Sequence, residues 1–225
     1  MIQVTNLHQS FGKKTVLDSI TISIEKNEIC ALVGRNGAGK STFINSLLGL
    51  LPVKQGSIAI NGTTVSKKNN GWKKAIAYLP EKFLLYPMLT GLENMTFFAE
   101  AVSKTANLER IEQVLTAVSL WDDRNVQVKK YSKGMLQRLG LAITLYQESS
   151  ILILDEPTSG IDPMGRKEIL EVLKSLQQQT ILLSSHHLDE IKQVCTHVAY
   201  LHDGKMEKYT VEEFLNTHHL GGIDG

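Results

Sequence analysis

Apolar and polar residues alternate along Ile20-Thr21-Ile22-Ser23-Ile24, which predicts a strand with one covered face. Ile2-Gln3-Val4-Thr5 and Ser57-Ile58-Ala59-Ile60 give two more strands, the second ending in a turn at Asn61-Gly62. Ile29–Val33 and Ala75–Leu79 are unbroken apolar runs, the form expected of strands buried on both faces, and Pro80 closes the second. Helical spacing first appears at Phe43, Ile44, Leu47 and Leu48 and stops at Gly49. Thr90 and Glu93 then form a capping-box pair, with Leu92, Met95, Ala99 and Val102 on one face of the helix they open. Leu108, Ile111, Leu115 and Val118 mark a second amphipathic helix, and Leu139, Ala142, Ile143 and Tyr146 a third.

Past residue 147 the pattern changes to strand–helix alternation. Ile151–Leu154 is a strand, and Asp162 with Pro163 behind it caps a helix. Strand Thr180–Leu183, a short helix around Leu188 and Ile191, and strand Val198–Leu201 follow. Alternation at both ends of the chain argues for a parallel α/β core, with the helical stretch from about 85 to 147 inserted into it. No internal repeat or low-complexity tract interrupts this order.

At 225 residues there is room for one sizeable core. Twenty-four basic residues nearly cancel twenty-three acidic ones, so no global field favours nucleic acid or a membrane surface. Lysines cluster locally at Lys67, Lys68, Lys73 and Lys74, where a solvated loop around Asn69-Asn70-Gly71 is expected, and again at Lys129, Lys130 and Lys133. No apolar run approaches the roughly twenty residues that span a bilayer. Met1 to Thr15 lacks the apolar stretch of a secretion signal. Cys30 falls in a buried strand and Cys195 on a helix, without metal-ligand spacing, which fits a reducing cytoplasm. Leu220–Gly225 reads as a frayed end or a truncation.

The chemistry begins at Gly34-Arg35-Asn36-Gly37-Ala38-Gly39-Lys40-Ser41-Thr42, a phosphate-binding loop with full G-x-x-x-x-G-K-[ST] spacing. Its glycines let backbone N–H groups face the phosphate oxygens. Lys40 sets a point charge on the outer phosphates, and the Ser41 hydroxyl is a candidate Mg²⁺ ligand. A strand before the loop and a helix after it complete the required context, and the helix N-terminus adds partial positive charge. Asp155 and Glu156 end the strand Ile151–Leu154, and strand C-termini in a parallel sheet face the ligand crevice. Asp155 is expected to hold Mg²⁺ through water, and Glu156 to orient or deprotonate an attacking water.

With these residues in place the chain resembles the ABC-type ATPases. Asp155-Glu156-Pro157-Thr158-Ser159-Gly160-Ile161-Asp162-Pro163 is similar to the family's second phosphate motif and D-loop. Tyr131-Ser132-Lys133-Gly134-Met135, with Gln137-Arg138 behind it, resembles the signature motif, and Ser184-Ser185-His186 the switch-histidine segment. Tyr78-Leu79-Pro80-Glu81 stands at the Q-loop and Phe11-Gly12 at the aromatic A-loop position.

The resemblance implies a P-loop NTPase core with a mainly parallel sheet, an N-terminal antiparallel β subdomain and an inserted helical subdomain. It implies one domain over 1–225, with 1–84 and 148–219 as catalytic core and 85–147 as the signature subdomain. Phe11 would stack on adenine, with Val16 beside it among the nucleotide-binding residues. His186 would steady the Glu156–water pair at the γ-phosphate. Ser132 and Gly134 would reach the nucleotide of a second subunit, so that two chains sandwich two ATP molecules. Asp162 would lie on that seam or simply cap its helix; both readings stay open.

Lys133 and Met135 depart from the family's more frequent glycine and glutamine, and Glu81 replaces its usual glutamine. A carboxylate at 81 would be a harder Mg²⁺ ligand than an amide. These variants resemble the subgroup paired with drug, antibiotic or polysaccharide exporters. The implied function is ATP hydrolysis on the cytoplasmic face of a cell membrane, driving membrane-spanning subunits together with a second, identical or paralogous, ATP-binding subunit. The apolar segment Lys82–Leu89 is the expected docking surface. Among alternatives, a soluble ABC-type ATPase acting on nucleic acid needs a long coiled coil, and residues 43–130 carry no sustained heptads. The ribosome-acting type usually joins two cassettes, and a phosphoryl-transfer kinase leaves the signature and His186 unexplained. Direct nucleic-acid binding is not expected.

Overall fold

The computed structural model describes residues 1–66, 68–176 and 178–218. Lys67 of the basic cluster, His219, and the end read as frayed, Leu220–Gly225, lie outside the described residues. In chain order the elements are β1 (Ile2–Phe11), β2 (Lys14–Ile24), β3 (Ile29–Val33), α1 (Lys40–Leu47), β4 (Gln55–Ile60), β5 (Thr63–Thr64) and β6 (Ile76–Leu79). Next come α2 (Gly91–Ser103), α3 (Leu108–Ala117), α4 (Lys133–Tyr146), β7 (Ile151–Asp155) and α5 (Pro163–Ser175). They are followed by β8 (Thr180–Ser184), α6 (Leu188–Val194), β9 (His197–His202), β10 (Lys205–Thr210) and α7 (Val211–Thr217). These form two compact units, one of Met1–Ile76, Ser150–Ile153 and Gln177–Gly225, the other of Ala77–Ser149 and Leu154–Leu176.

The first unit holds an antiparallel sheet in the order β2-β1-β4-β5. Its buried face is built by Ile2, Val4, Leu7, Leu17, Ile20, Ile22, Ile24, Ile58 and Ile60. The β1–β2 hairpin is far longer than the two short alternating runs suggest. Its register shifts between Val4 and Leu7 and again between Leu7 and Gln9. Each shift moves the side chains to the other face, so the period-two pattern is lost in the middle of both strands. Gly56 presses on one such irregularity, where an added Cβ would meet the Asn6 carbonyl oxygen at 2.3 Å.

The second sheet of this unit runs β10-β9-β3-β8-β7, with β3 parallel to both β8 and β9. Every residue of β3 and β8 is buried, which is why both are plain apolar runs. On one side Phe43, Ile44 and Leu47 of α1 are buried, and Gly49 after it leaves room for the buried Trp72 ring. Elsewhere in the unit Phe214 of α7 packs with Ala31, Val33, Ile191 and Val198. Cys195 caps the end of α6 instead of lying on it, and burial pushes its thiol up to about 12.

In the second unit α4 is buried around most of its circumference. The Arg138 guanidinium donates to the carbonyls of Val118 and Ser119 at 3.0 and 2.9 Å and pairs with Glu168. It thereby ties α4 to the end of α3. On α2 the inward positions belong to Gly91, Asn94, Met95 and Ala99, and Val102, expected inside, is 56% exposed. The fully buried Asn94 amide accepts from the Tyr86 N–H at 2.8 Å and donates to the Tyr86 carbonyl at 3.1 Å. Leu108 is likewise exposed, as the first residue of α3. Among the described residues no helix is long and apolar enough to cross a membrane.

Candidate functional site

The phosphate loop leaves β3 at Gly34 and enters α1 at Lys40. Gly37 and Gly39 hold φ values of +80° and +115°, a region closed to most side chains. A Cβ on Gly39 would also approach Val16 Cγ1 to 2.9 Å, which sets Val16 directly against the loop. The helix has Gly39 as its N-cap, with no side-chain cap bond there. Its leading N–H groups are therefore available to an anion. Lys40 Nζ donates to the Gly34 carbonyl at 2.6 Å, an intraloop bond that holds the ammonium over the cradle. Ser41 is exposed on the first turn.

A pocket of about 450 Å³ adjoins this loop within the same unit. Arg35, Asn36, Gly37 and Ala38 line one side, Lys14, Thr15 and Val16 another, and Leu201–Gly204 a third. The β9–β10 turn at Asp203-Gly204 was not anticipated in this role. It is fixed there because the Asp18 N–H donates to the Gly204 carbonyl at 2.8 Å and Lys205 pairs with Asp18 at 2.6 Å. The Asp-Gly dipeptide after a strand was the available signal. Phe11 sits on the β1–β2 turn, 53% exposed, which rules out a core phenylalanine and leaves its ring accessible.

His186 is exposed in the loop after β8. The buried Ser185 hydroxyl shapes that loop by accepting from the His187 N–H at 3.1 Å and donating to Glu190 at 3.0 Å. Other histidines have partners of their own. His8 faces Asp18, His197 faces Glu28, and His202 lines the pocket beside the phosphate loop. His218 stacks on Phe214 with ring centroids 4.6 Å apart.

In the second unit Asp155 ends β7 and Glu156 follows with φ +50°. A non-glycine residue in that region stores roughly 1–3 kcal/mol of strain, and such residues gather at functional sites. Burial, then the charge of Asp155 and finally that of Glu81, push the Tyr78 phenol up to about 12, so it stays neutral. Among the described residues no group of three or more His, Cys, Asp or Glu side chains gathers. A metal ion here would complete its shell with phosphate and water oxygens. That suits Mg²⁺, which keeps much of its hydration and takes only one or two protein oxygens.

The signature segment opens α4. Ser132 is the N-cap, its Oγ accepting from the Met135 N–H at 3.2 Å, which leaves the hydroxyl proton to donate outward. Gly134 lies against the start of α5: a Cβ there would make ordinary contact with Ile161 Cγ2 at 3.4 Å and the Gly165 Cα at 3.5 Å. Asp162 caps α5, accepting from the N–H groups of Met164 and Gly165 at 3.0 and 3.1 Å. The Gly165 amide, then that of Met164, holds its carboxyl below the usual range. The capping reading of Asp162 is thus realised in this chain.

Beside the signature runs an apolar groove of about 590 Å³. Phe83, Leu84, Leu85, Pro87, Val128, Tyr131 and Leu136 line it, with Glu81 and three lysines, Lys82, Lys129 and Lys133, around them. Leu84 is 91% exposed. Phe83 is anchored on α4 at Gly140, where an added Cβ would come 2.5 Å from the ring.

The profile of the ABC transporter family matches residues 17–159. The linearmycin resistance ATP-binding protein LnrL of Bacillus subtilis (strain 168) is 35% identical over 210 residues, covering 92% of this chain and 68% of its own. The lantibiotic transport ATP-binding protein SrtF of Streptococcus pyogenes is 36% identical over 208 residues, covering 92% and 89%. A solved ATP-binding subunit of an ABC transporter superposes with a TM-score of 0.83 at 29% identity, covering 96% of this chain and 92% of that one. Phosphate loop, paired carboxylates and signature helix all fall within the residues 17–159 that the profile matches, and the chain belongs to the ABC transporter family as an ATP-binding cassette with ATPase function.

Proposed function

We propose that this cassette hydrolyses ATP to drive an exporter, working as one of a pair that closes around two ATP molecules. The observation that carries the reading is the uncapped N-terminus of α1 behind Lys40, a cradle shaped for a polyphosphate. Gly34 to Thr42 would bind the phosphates, and Phe11 and Val16 the base. Glu156 would act as general base, with His186 at the γ-phosphate. Ser132 and Gly134 would serve the nucleotide of a second subunit, identical or paralogous, and Asp162 would line the seam while capping its helix. Export is supported by the names of the relatives, which concern linearmycin resistance and lantibiotic transport.

Mg²⁺ fits Ser41, Asp155 through water, and Glu81 as the residues that would hold it. When bound it supplies charge neutralisation on the phosphates. Glu81→Gln is expected to retain ATPase activity but shift its Mg²⁺ dependence. An unchanged Mg²⁺ titration removes Glu81 as a ligand.

The groove at Lys82–Leu89 would receive a membrane-spanning subunit at the cytoplasmic face. Its apolar floor and three lysines suit an apolar segment carrying acidic residues. Co-expression with a candidate membrane-spanning transporter subunit tests that reading. Lys82→Glu with Lys129→Glu should weaken the complex on the order of 10-fold or more, because like charges at an interface cost several kcal/mol. Basal ATPase of the isolated cassette should not change. Undiminished complex formation would remove the groove as the docking site.

The subdomain boundaries, 1–84 with 148–219 against 85–147, are proposed from the position of the helical block. Limited proteolysis around residue 85 would test them.

A further inference from the structure

We propose that the Asp203 carboxylate accepts hydrogen bonds from the ribose hydroxyls of the nucleotide held by the phosphate loop; this rests on the base placement proposed for Phe11 and Val16. The pocket of about 450 Å³ beside the loop limits what can lie there. Val16 bounds it on one side, and Arg35–Ala38 of the phosphate loop on another. In a nucleotide the sugar joins base to phosphates, so the space between these two walls falls to the ribose. Leu201–Gly204 forms the third wall, and all three walls belong to the first unit.

The third wall is seated directly against the other two. A Cβ on Gly34 would meet the Leu201 carbonyl oxygen at 2.5 Å, so the end of β9 touches the start of the loop. A Cβ on Gly204 would lie 3.4 Å from the Val16 carbonyl oxygen. Asp203 and Gly204 hold φ values of +46° and +74°, as in a tight hairpin turn, and the Asp203 side chain is exposed. His202 Nδ1 stands 3.4 Å from that carboxylate, and the His202 ring stacks on Tyr200 with centroids 5.9 Å apart. Among the described residues that line the pocket Asp203 is the sole acid, whereas Lys14 and Arg35 are basic. A carboxylate beside a phosphate cradle repels phosphates, so its useful partner is the uncharged sugar, whose hydroxyls donate. Dinucleotide-binding sheets likewise set an acidic side chain on a ribose hydroxyl.

The test is calorimetry of ATP, 2′-deoxy-ATP and 3′-deoxy-ATP, each with Mg²⁺, on the full chain. The unaltered protein should bind ATP roughly 3–10-fold more tightly than at least one deoxy analogue, the usual worth of one hydrogen bond. Asp203→Gly, which suits the positive φ, should lower ATP affinity by that factor and bring the ratio to one. Asp203→Asn keeps an acceptor oxygen in the same turn and should retain part of the discrimination. A residue that merely formed the turn would leave the ratio unchanged in both variants. Phe11→Ala reports on the base placement and should weaken all three nucleotides alike. If Phe11→Ala weakens binding but Asp203→Gly leaves the ratio unchanged, or the unaltered protein binds all three nucleotides equally, the inference is overturned and the base placement stands. If neither variant has an effect, both are overturned.

Discussion

Glu156→Gln is expected to lower the rate of ATP hydrolysis by roughly 10²–10⁴-fold, the usual contribution of a general base. The amide has the size and shape of the carboxylate, so the backbone at φ +50° is asked to hold a similar residue. What disappears is the basicity needed to take a proton from water. ATP binding should survive, because the phosphate cradle in the first unit is untouched. Phosphate release in a single turnover gives the rate, and calorimetry gives the affinity. A rate within the wild-type range would place the base elsewhere.

Lys40→Ala is expected to abolish measurable ATP binding. Lys40 is the cradle's own cation and is held across the loop by its 2.6 Å bond to the Gly34 carbonyl. Each hydrogen bond to a charged group is worth about 1.5–3 kcal/mol, and removal of this side chain forfeits both the bonds and the Coulomb attraction to the outer phosphates. The combined loss is on the order of 10²-fold or greater in affinity. Calorimetry on the folded variant is the check. Retained affinity would contradict the assignment of Gly34–Thr42 as the phosphate site.

Much of this site is legible in the sequence because phosphate binding is done by backbone and a few fixed side chains. The glycines at 37 and 39 are needed for positive φ, and the apolar run of β3 must precede them. Helix ends were also readable: Thr90 with Glu93, and Asp162 with Pro163, cap α2 and α5 as their residue types require. Less legible were features set by tertiary packing. The middle of the β1–β2 hairpin is hidden by its register shifts. β10 is an edge strand with no fully buried residue, so Lys205–Thr210 carries no clear alternation of apolar residues. Asn94 shows why polarity alone misleads: it is buried because it satisfies the backbone of Tyr86, while the apolar Val102 points to solvent.

The central claim is that one chain supplies only half of each working ATP site, the other half being Ser132 and Gly134 of a second subunit. Static light scattering of Glu156→Gln in saturating ATP and Mg²⁺ tests it most directly. Blocked hydrolysis should trap the closed pair, so the measured mass should double when ATP is added and return to the single-chain value when ATP is withdrawn. A mass that stays at that of one chain in saturating ATP would contradict the account.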